Sequence, residues 1–531
     1  MFNQLMEAIE AQEAERVEEL LATGVDIELM HKPTGGVTPL ALASKKGNLR
    51  IVDMLLAKGA DVSNFTDDPD TVPLIVACAN GHLDVVKELL NHGADVNLVS
   101  WPDYETPLRA ASIAGHDQVV KLLLQKGANV DFRISHDAMG ECFDVETALM
   151  AACCFNHVHV ARILLEQGAD ADSPDFRDKM TPLMVACRQG CRELAELLIQ
   201  FGASVHRTDD RVMTPLMWAC NSGATDIARY LIEQGASIDY LIYTSALIEA
   251  CSGGNIETAK MLLDLGADID LVTPSGTTAL SASLKNGHEE VAMTLLHEGA
   301  SFQRNTDSRR QKLSGKRLVN SGDVLVSRER FPNQTPLMWA SFWGHERVVS
   351  FMLAKSVDIN EWDISGKTAL MVAACEGKLE VVKLLVGKRP DIDAQDADGL
   401  SALMWAGAWG RDKVVSALLD AGADISKTDR LGQTVLDWAM KGNHQSVLNI
   451  LHARGSTVQQ RATTYDLDVV IMQSYPYPIA YSYRMVDNFY QPLEIYRALL
   501  RVLLSAPFDE LERLFSREAK FSAPTGQDFD K

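Results

Sequence analysis

The chain has 531 residues, of which 47% are hydrophobic and 23% charged, with a formal net charge of −22 and nine cysteines. That is the make-up of a folded chain with enough apolar material for a large core. Its acidity argues against nucleic acid as the main partner, since a surface of that sign repels phosphate, and an odd, thinly spread cysteine set argues against a secreted disulfide framework.

The opening stretch "MFNQLMEAIEAQEAERVEELL" is acidic and amphipathic and has no basic region ahead of an apolar run, so it is not read as a secretory signal. No window approaches about 18 uninterrupted apolar residues, so no transmembrane span is expected. From residue 38 onward one hexad returns twelve times. It starts at Thr38 (TPLALA), Val72 (VPLIVA), Thr106 (TPLRAA), Thr147 (TALMAA), Thr181 (TPLMVA) and Thr214 (TPLMWA). It continues at Ser245 (SALIEA), Thr278 (TALSAS), Thr335 (TPLMWA), Thr368 (TALMVA), Ser401 (SALMWA) and Thr434 (TVLDWA). The spacings are 34, 34, 41, 34, 33, 31, 33, 57, 33, 33 and 33.

Each unit carries its own start and stop signals. Thr or Ser suits the N-cap, Pro beside it suits the first helical position, and Gly a few residues on permits a sharp reversal. An apolar helical run follows, closed by Gly-Ala-Asp or a variant, as in "LLNHGADVN". Neither helix is long enough to be stable alone in water, so each unit must bury its apolar face against its neighbours.

The hexad, its phase and its closing Gly-Ala-Asp resemble the ankyrin repeat, a unit of about 33 residues with a T-P-L-H-x-A signature. The resemblance implies an all-α solenoid of about thirteen units with short β-hairpin tips, residues 1–33 forming a capping unit that keeps the ending "VEELLATGVDIE". It also implies a concave face, lined by the ends of the first helices, on which ankyrin proteins contact partners. The expected organisation is a cap at 1–33, repeats at 34–301, a basic loop at 302–331, repeats at 332–455 and a C-terminal segment at 456–531.

Three stretches depart from the beat. Residues 132–146 lengthen one hairpin. Residues 302–331 carry eight basic residues against three acids, a local +5, and read as a solvated loop, with a nuclear-import patch or a basic docking arm as alternatives. Residues 456–531 hold tyrosines and prolines, then two amphipathic helices, and read as a helical C-terminal cap or as an adaptor segment.

No phosphate loop and no hydrolase or zinc-protease motif occurs, so no enzyme, metal or cofactor is expected. "CCFNHVH" resembles a metal site on paper. In register, however, Cys153 takes the same small core position as Cys78, Cys187, Cys220 and Cys251. Trp218, Trp339, Trp405 and Trp438 occupy one register position and are expected to pack between units. Phe342, Trp343 and Trp409 precede the turn glycines, Trp362, Trp101 and Tyr104 sit at hairpin tips, and Phe155 holds another pre-turn place. These seven are the candidate partner-binding residues. Trp343 and Trp409 have a structural alternative, stacking on Trp339 and Trp405 four residues back. Exposed indoles forgo several kcal/mol of burial, so such clusters tend to be contact sites. Glu361, Asp363, Glu376, Asp396 and Asp398 around them would favour a basic ligand.

The function expected is that of a monomeric scaffold or adaptor, cytoplasmic or nuclear, binding a protein partner that offers a basic or aromatic-binding segment. Two alternatives are a substrate-recognition subunit of a ubiquitin ligase, acting through residues 456–531, and a signalling inhibitor that masks a basic segment of its client.

Overall fold

Backbone N–H groups at a helix start have no partner within the helix, and this chain supplies one from the side chain just before it. Thr38 Oγ1 accepts from Ala41 N at 3.2 Å and Thr147 Oγ1 from Met150 N at 3.1 Å, with Thr106, Thr335, Thr368, Ser401 and their counterparts doing the same. Val72 stands at that position without a side-chain oxygen, and its helix has no side-chain cap. The reversal after the helix needs a left-handed residue. Gly47 has φ 74°, and a β-carbon there would lie 2.4 Å from the His82 ring. Asn156 and Asn443 take the same turn with φ 59° and 52°, as asparagine can at small cost.

These rules repeat through a computed structural model that describes residues 1–29, 37–63, 72–100, 104–133, 146–175, 177–302 and 334–455. The chain divides into two units, Met1–Gln459 and Gln460–Lys531, and all the described residues lie in the first. They contain 26 helices, which fall into consecutive pairs from Phe2–Glu10 with Ala14–Ala22 to Val435–Lys441 with Gln445–Ala453. First helices pack on first helices and second on second, so the first unit is a helix-pair solenoid. Ala279–Lys285 packs on Pro336–Trp343 and Glu289–His297 on Glu346–Ala354, so the stack runs on between the pairs that flank 303–333.

The core is the inner face of this stack. Leu40, Ile51, Leu55, Leu74, Leu89, Leu123 and Leu149 are fully enclosed, each worth roughly 1.5–3 kcal/mol of burial. Cys78, Cys153, Cys187, Cys220 and Cys251 are buried there too, as expected, and burial pushes the Cys251 thiol up to about 12. Among the described residues no group of three or more His, Cys, Asp or Glu could hold a metal ion.

Side chains tie the units to one another. In several units the Asp or Asn two residues past the closing Gly-Ala-Asp, or its variant, accepts a backbone N–H of the next unit. Asn129 N donates to Asn97 at 2.7 Å, Ser204 N to Asp172 at 2.9 Å, Ser301 N to Asp270 at 2.8 Å and Asp424 N to Asp393 at 2.9 Å.

The hairpin tips are simpler than expected. Among the described residues one antiparallel bridge, Trp362 with Thr368, has both partners described, and there is no strand. Four of the described tips are held instead by a buried aspartate, Asp209, Asp363, Asp396 or Asp429. Asp396 Oδ1 accepts from Asp398 N at 3.0 Å and Leu400 N at 2.9 Å, and Asp363 and Asp429 fold their tips in the same way. Successive tips join through the backbone, Ala397 N donating to Ser365 O at 2.8 Å and Arg430 N to Asp398 O at 3.1 Å.

The same aspartates explain the tryptophans of the hexad. Trp405 Nε1 donates to Asp396 Oδ2 at 2.9 Å, Trp438 Nε1 to Asp429 Oδ2 at 3.1 Å and Trp218 Nε1 to Asp209 Oδ2 at 3.0 Å. Trp339, Trp405 and Trp438 are buried, as expected. Trp218 is half-buried, with the Arg188 guanidinium 5.8 Å over its ring. Lys367 and Lys441 lie 4.6 Å and 4.8 Å over Trp405 and Trp438. Trp101, nearly all of the basic loop and residues 456–531 lie outside the described residues.

Candidate partner-binding surface

The end of a first helix leaves carbonyl groups without helical partners. Here the next unit satisfies them from two places, the residue after the turn glycine and the residue before it. From the place after the turn, the histidine Nε2 donates to the carbonyl seven residues past the preceding unit's N-cap. His82 reaches Lys45 O at 3.0 Å, His116 reaches Ala79 O at 3.2 Å, and His157 reaches Ile113 O at 2.9 Å. His288 reaches Ser252 O at 2.9 Å and His444 reaches Ala408 O at 2.9 Å. Asn255 and Arg411 do the same work on Asn221 O and Cys375 O. The imidazoles of His82 and His116 fill the space over Gly47 and Gly81, which is why a side chain there has no room.

Where the post-turn residue cannot donate in this way, the pre-turn residue does. Cys191 follows one turn, and Gln189 Nε2 reaches Cys154 O at 2.7 Å. Ala224 follows the next, and Ser222 Oγ reaches the carbonyl one residue earlier, Cys187 O, at 2.9 Å.

Trp343 belongs to this second group although a histidine follows its turn. Its indole Nε1 donates to Lys285 O at 3.0 Å, and the ring lies 3.3 Å from where a β-carbon on Gly287 would sit. Both the acceptor and the space are those a post-turn histidine takes elsewhere. Trp343 is still 43% exposed. The half-buried Phe342 meets the Trp343 ring edge-on at 5.2 Å and the Trp339 ring edge-on at 6.2 Å. The rings raised as a question by the sequence therefore form one chain from core to surface.

Two units on, Trp409 is 36% exposed at the same register position, and Glu376 holds that position in the unit between. Burial pushes the Glu376 carboxyl up, partly opposed by the nearby Arg411 and Lys378. Phe155 is 51% exposed and stacks on His157 with 6.4 Å between ring centroids. Tyr104 is half-buried and holds its backbone at φ 50°. Trp362, at its tip, is 65% exposed, and Ile364 beside it is exposed as well.

The structure thus puts Phe342 and Trp343 together, and Trp343, Glu376 and Trp409 in one row, because the first helices that carry them pack in sequence. Trp362, Tyr104 and Phe155 belong to other tips and turns. One expectation needs correcting. Asp363 and Asp396 do not offer free charge to a ligand, since both are buried and occupied by their own hairpins. Asp398 is exposed and Glu361 half-buried. Burial raises the Asp396 carboxyl, and the N–H groups of Leu400, Trp405 and Asp398 hold it back down.

Sequence reasoning missed two features. The Asp-to-Trp brace was visible as an aspartate nine residues before the hexad tryptophan in "DDRVMTPLMW", "DADGLSALMW" and "DRLGQTVLDW". Ile364 and Leu431, exposed at the tips, flank buried aspartates and carried no signal beyond being apolar in a turn.

The family model for ankyrin repeats, written as three copies, matches residues 5–100, 63–134, 132–209, 171–241, 242–306, 313–396 and 377–462. Among solved structures, the human ASB11 ankyrin repeat domain is 29% identical over 43% of this chain and 98% of its own, with a TM-score of 0.38. No curated protein matches the chain. Among the described residues no helix is long and apolar enough to cross a membrane.

Proposed function

The chain belongs to the ankyrin-repeat family, and from that premise we propose that it is a scaffold whose Trp343–Glu376–Trp409 row grips an extended segment of a partner protein. Ankyrin repeats serve in general as protein-interaction modules without chemistry of their own, and the finer reading rests on what this chain places at the ends of three successive first helices. The observation that carries it is the pair of exposed indoles at one register position, with a carboxylate in the unit between.

The spacing favours an extended ligand with three residues per turn. Packed helices lie about 8–10 Å apart, and a polyproline-II segment rises about 3.1 Å per residue with every third side chain on one face. Neighbouring row positions therefore meet ligand side chains about three residues apart. Two apolar or aromatic residues flanking a lysine or arginine would set that cation against Glu376 and two indole faces. Arg411 and Lys378 already neutralise part of the Glu376 charge, so the indoles, not the carboxylate, supply most of the affinity. Trp362 and Ile364 extend the apolar surface at their tip.

The test is affinity capture with the full chain and with the Trp343→Ala/Trp409→Ala double variant. The double variant is expected to melt close to the wild type and to lose partners that the wild type retains, by tenfold or more. A variant that folds normally and keeps every partner removes the proposal. A collapse of stability instead assigns both rings to the fold. The ligase and inhibitor alternatives draw no support from the described residues, because the ligase reading rests on 456–531.

A further inference from the structure

One junction in the stack has two donors for one carbonyl and uses the less expected one. Trp343 Nε1 holds Lys285 O at 3.0 Å. His345, at the register position from which His82, His116, His157, His288 and His444 serve the matching carbonyl, is turned inward and only 9% exposed. Its Nε2 is buried without a hydrogen-bond partner. Its Nδ1 lies 3.8 Å from the Glu289 carboxylate, and burial holds the imidazole below its ordinary pKa, against Glu289 and together with Lys378 and His288.

A buried imidazole nitrogen without a hydrogen-bond partner is costly, and so is an abandoned carbonyl; in its Nε2–H tautomer His345 is the donor that such a carbonyl needs. The two deficits are complementary. Where the chain offers both donors one unit earlier, Asn286 Nδ2 and His288 Nε2 share Ser252 O at 3.1 Å and 2.9 Å, so either place can reach this acceptor. Where the pre-turn aromatic has no N–H, as Phe155, it stacks on the histidine, and His157 keeps the carbonyl.

We propose that Lys285 O is a shared acceptor served in turn by Trp343 and by His345, and that its transfer to His345 frees the Trp343 indole for a partner. The number of hydrogen bonds is conserved across the exchange. The buried Nε2 gains an acceptor, the carbonyl never goes without a donor, and the indole swings out with its N–H available. This deepens the proposed function and rests on it for the identity of the beneficiary; the exchange itself does not. Trp343 is thus an anchor that the fold can lend without loosening the junction next to the 303–333 segment.

The first arm needs no partner. A crystal structure of the full-length Trp343→Phe protein is expected to show His345 Nε2 within about 3.2 Å of Lys285 O, with the introduced phenyl ring stacked on the imidazole as Phe155 stacks on His157. If that crystal cannot be grown, selectively ¹⁵N-labelled Trp343→Phe protein gives the same answer, through slowed exchange of the His345 Nε2 proton. An imidazole that stays inward and unpaired overturns the exchange. The second arm is His345→Ala, which keeps Trp343 but removes its replacement donor. It is expected to leave the fold intact and to weaken partner capture at least threefold, because release now strands Lys285 O. Unchanged capture by His345→Ala, together with loss of capture by Trp343→Ala/Trp409→Ala, overturns the release step while leaving the surface proposal standing. Unchanged capture by all of these variants overturns both.

Discussion

Replacing Asp396 by alanine tests the brace between hairpin and helix. The carboxylate accepts from Asp398 N and Leu400 N on one oxygen and from Trp405 Nε1 on the other. Asp398 is exposed, so water can satisfy its N–H after the change. Leu400 and Trp405 are buried, and their two donors are stranded. At about 1–3 kcal/mol for each buried orphan, less what the enclosed carboxylate itself costs, the loss is about 2–4 kcal/mol. Trp405→Phe strands only one acceptor lone pair and costs about 1–2 kcal/mol. With both changes together the indole no longer needs the acceptor, so the double variant loses less than the sum by about 1–2 kcal/mol. Urea unfolding followed by circular dichroism gives the totals. A repeat array need not unfold in one step, so hydrogen exchange across Ala402–Ala408 supplies the local readout. An Asp396→Ala protein within about 0.5 kcal/mol of wild type would refute the reasoning.

Gly47→Ala combines a left-handed backbone with a β-carbon 2.4 Å from the His82 ring, whereas Gly59→Ala meets open space. The first should cost about 1 kcal/mol more than the second in denaturant unfolding, and equal losses would contradict this. Thr147→Ala removes the cap that accepts from Met150 N and should cost about 1 kcal/mol, seen as faster exchange at the start of Ala148–Cys154. Burial raises the Glu249 carboxyl, with Thr244 and Asn221 only partly opposing through hydrogen bonds. The folded state therefore binds this proton more tightly than the unfolded one. Stability at this site falls as pH rises from the ordinary carboxylate value through the raised folded one, and it stays lower above. Glu249→Gln should flatten that segment of the pH–stability curve and be at least as stable as wild type at pH 7. A wild type that gains stability over the window while the variant stays flat is the contrary result.

The solenoid could be read from the sequence because its determinants are local. Thr before Pro-Leu, Gly at the turn and Gly before Ala-Asp each act within a few residues, and their phase survives a 57-residue gap between Thr278 and Thr335. The buried cysteines followed from the same phase. The site was less legible because its decisive contacts cross between units. Nothing within "WASFWGHE" says whether Trp343 or His345 takes the Lys285 carbonyl, since that depends on a neighbour 58 residues away. Asp363 and Asp396 looked like surface charge because an aspartate in a turn is usually wet. Here the N–H groups of the turn fold around the carboxylate and bury it. Trp218 shows the limit of register reasoning, because it holds the slot of Trp405 and the same brace yet remains half-buried.

The most direct test of the account is a hydrogen-exchange footprint of the full chain bound to a partner that wild type captures and Trp343→Ala/Trp409→Ala does not. The expected protection falls on the ends of Pro336–Trp343, Ala369–Glu376 and Ala402–Ala408 and the turns after them. Protection confined to the second helices, Glu346–Ala354, Leu379–Val386 and Asp412–Asp420, would place the partner on the other side of the stack and contradict it.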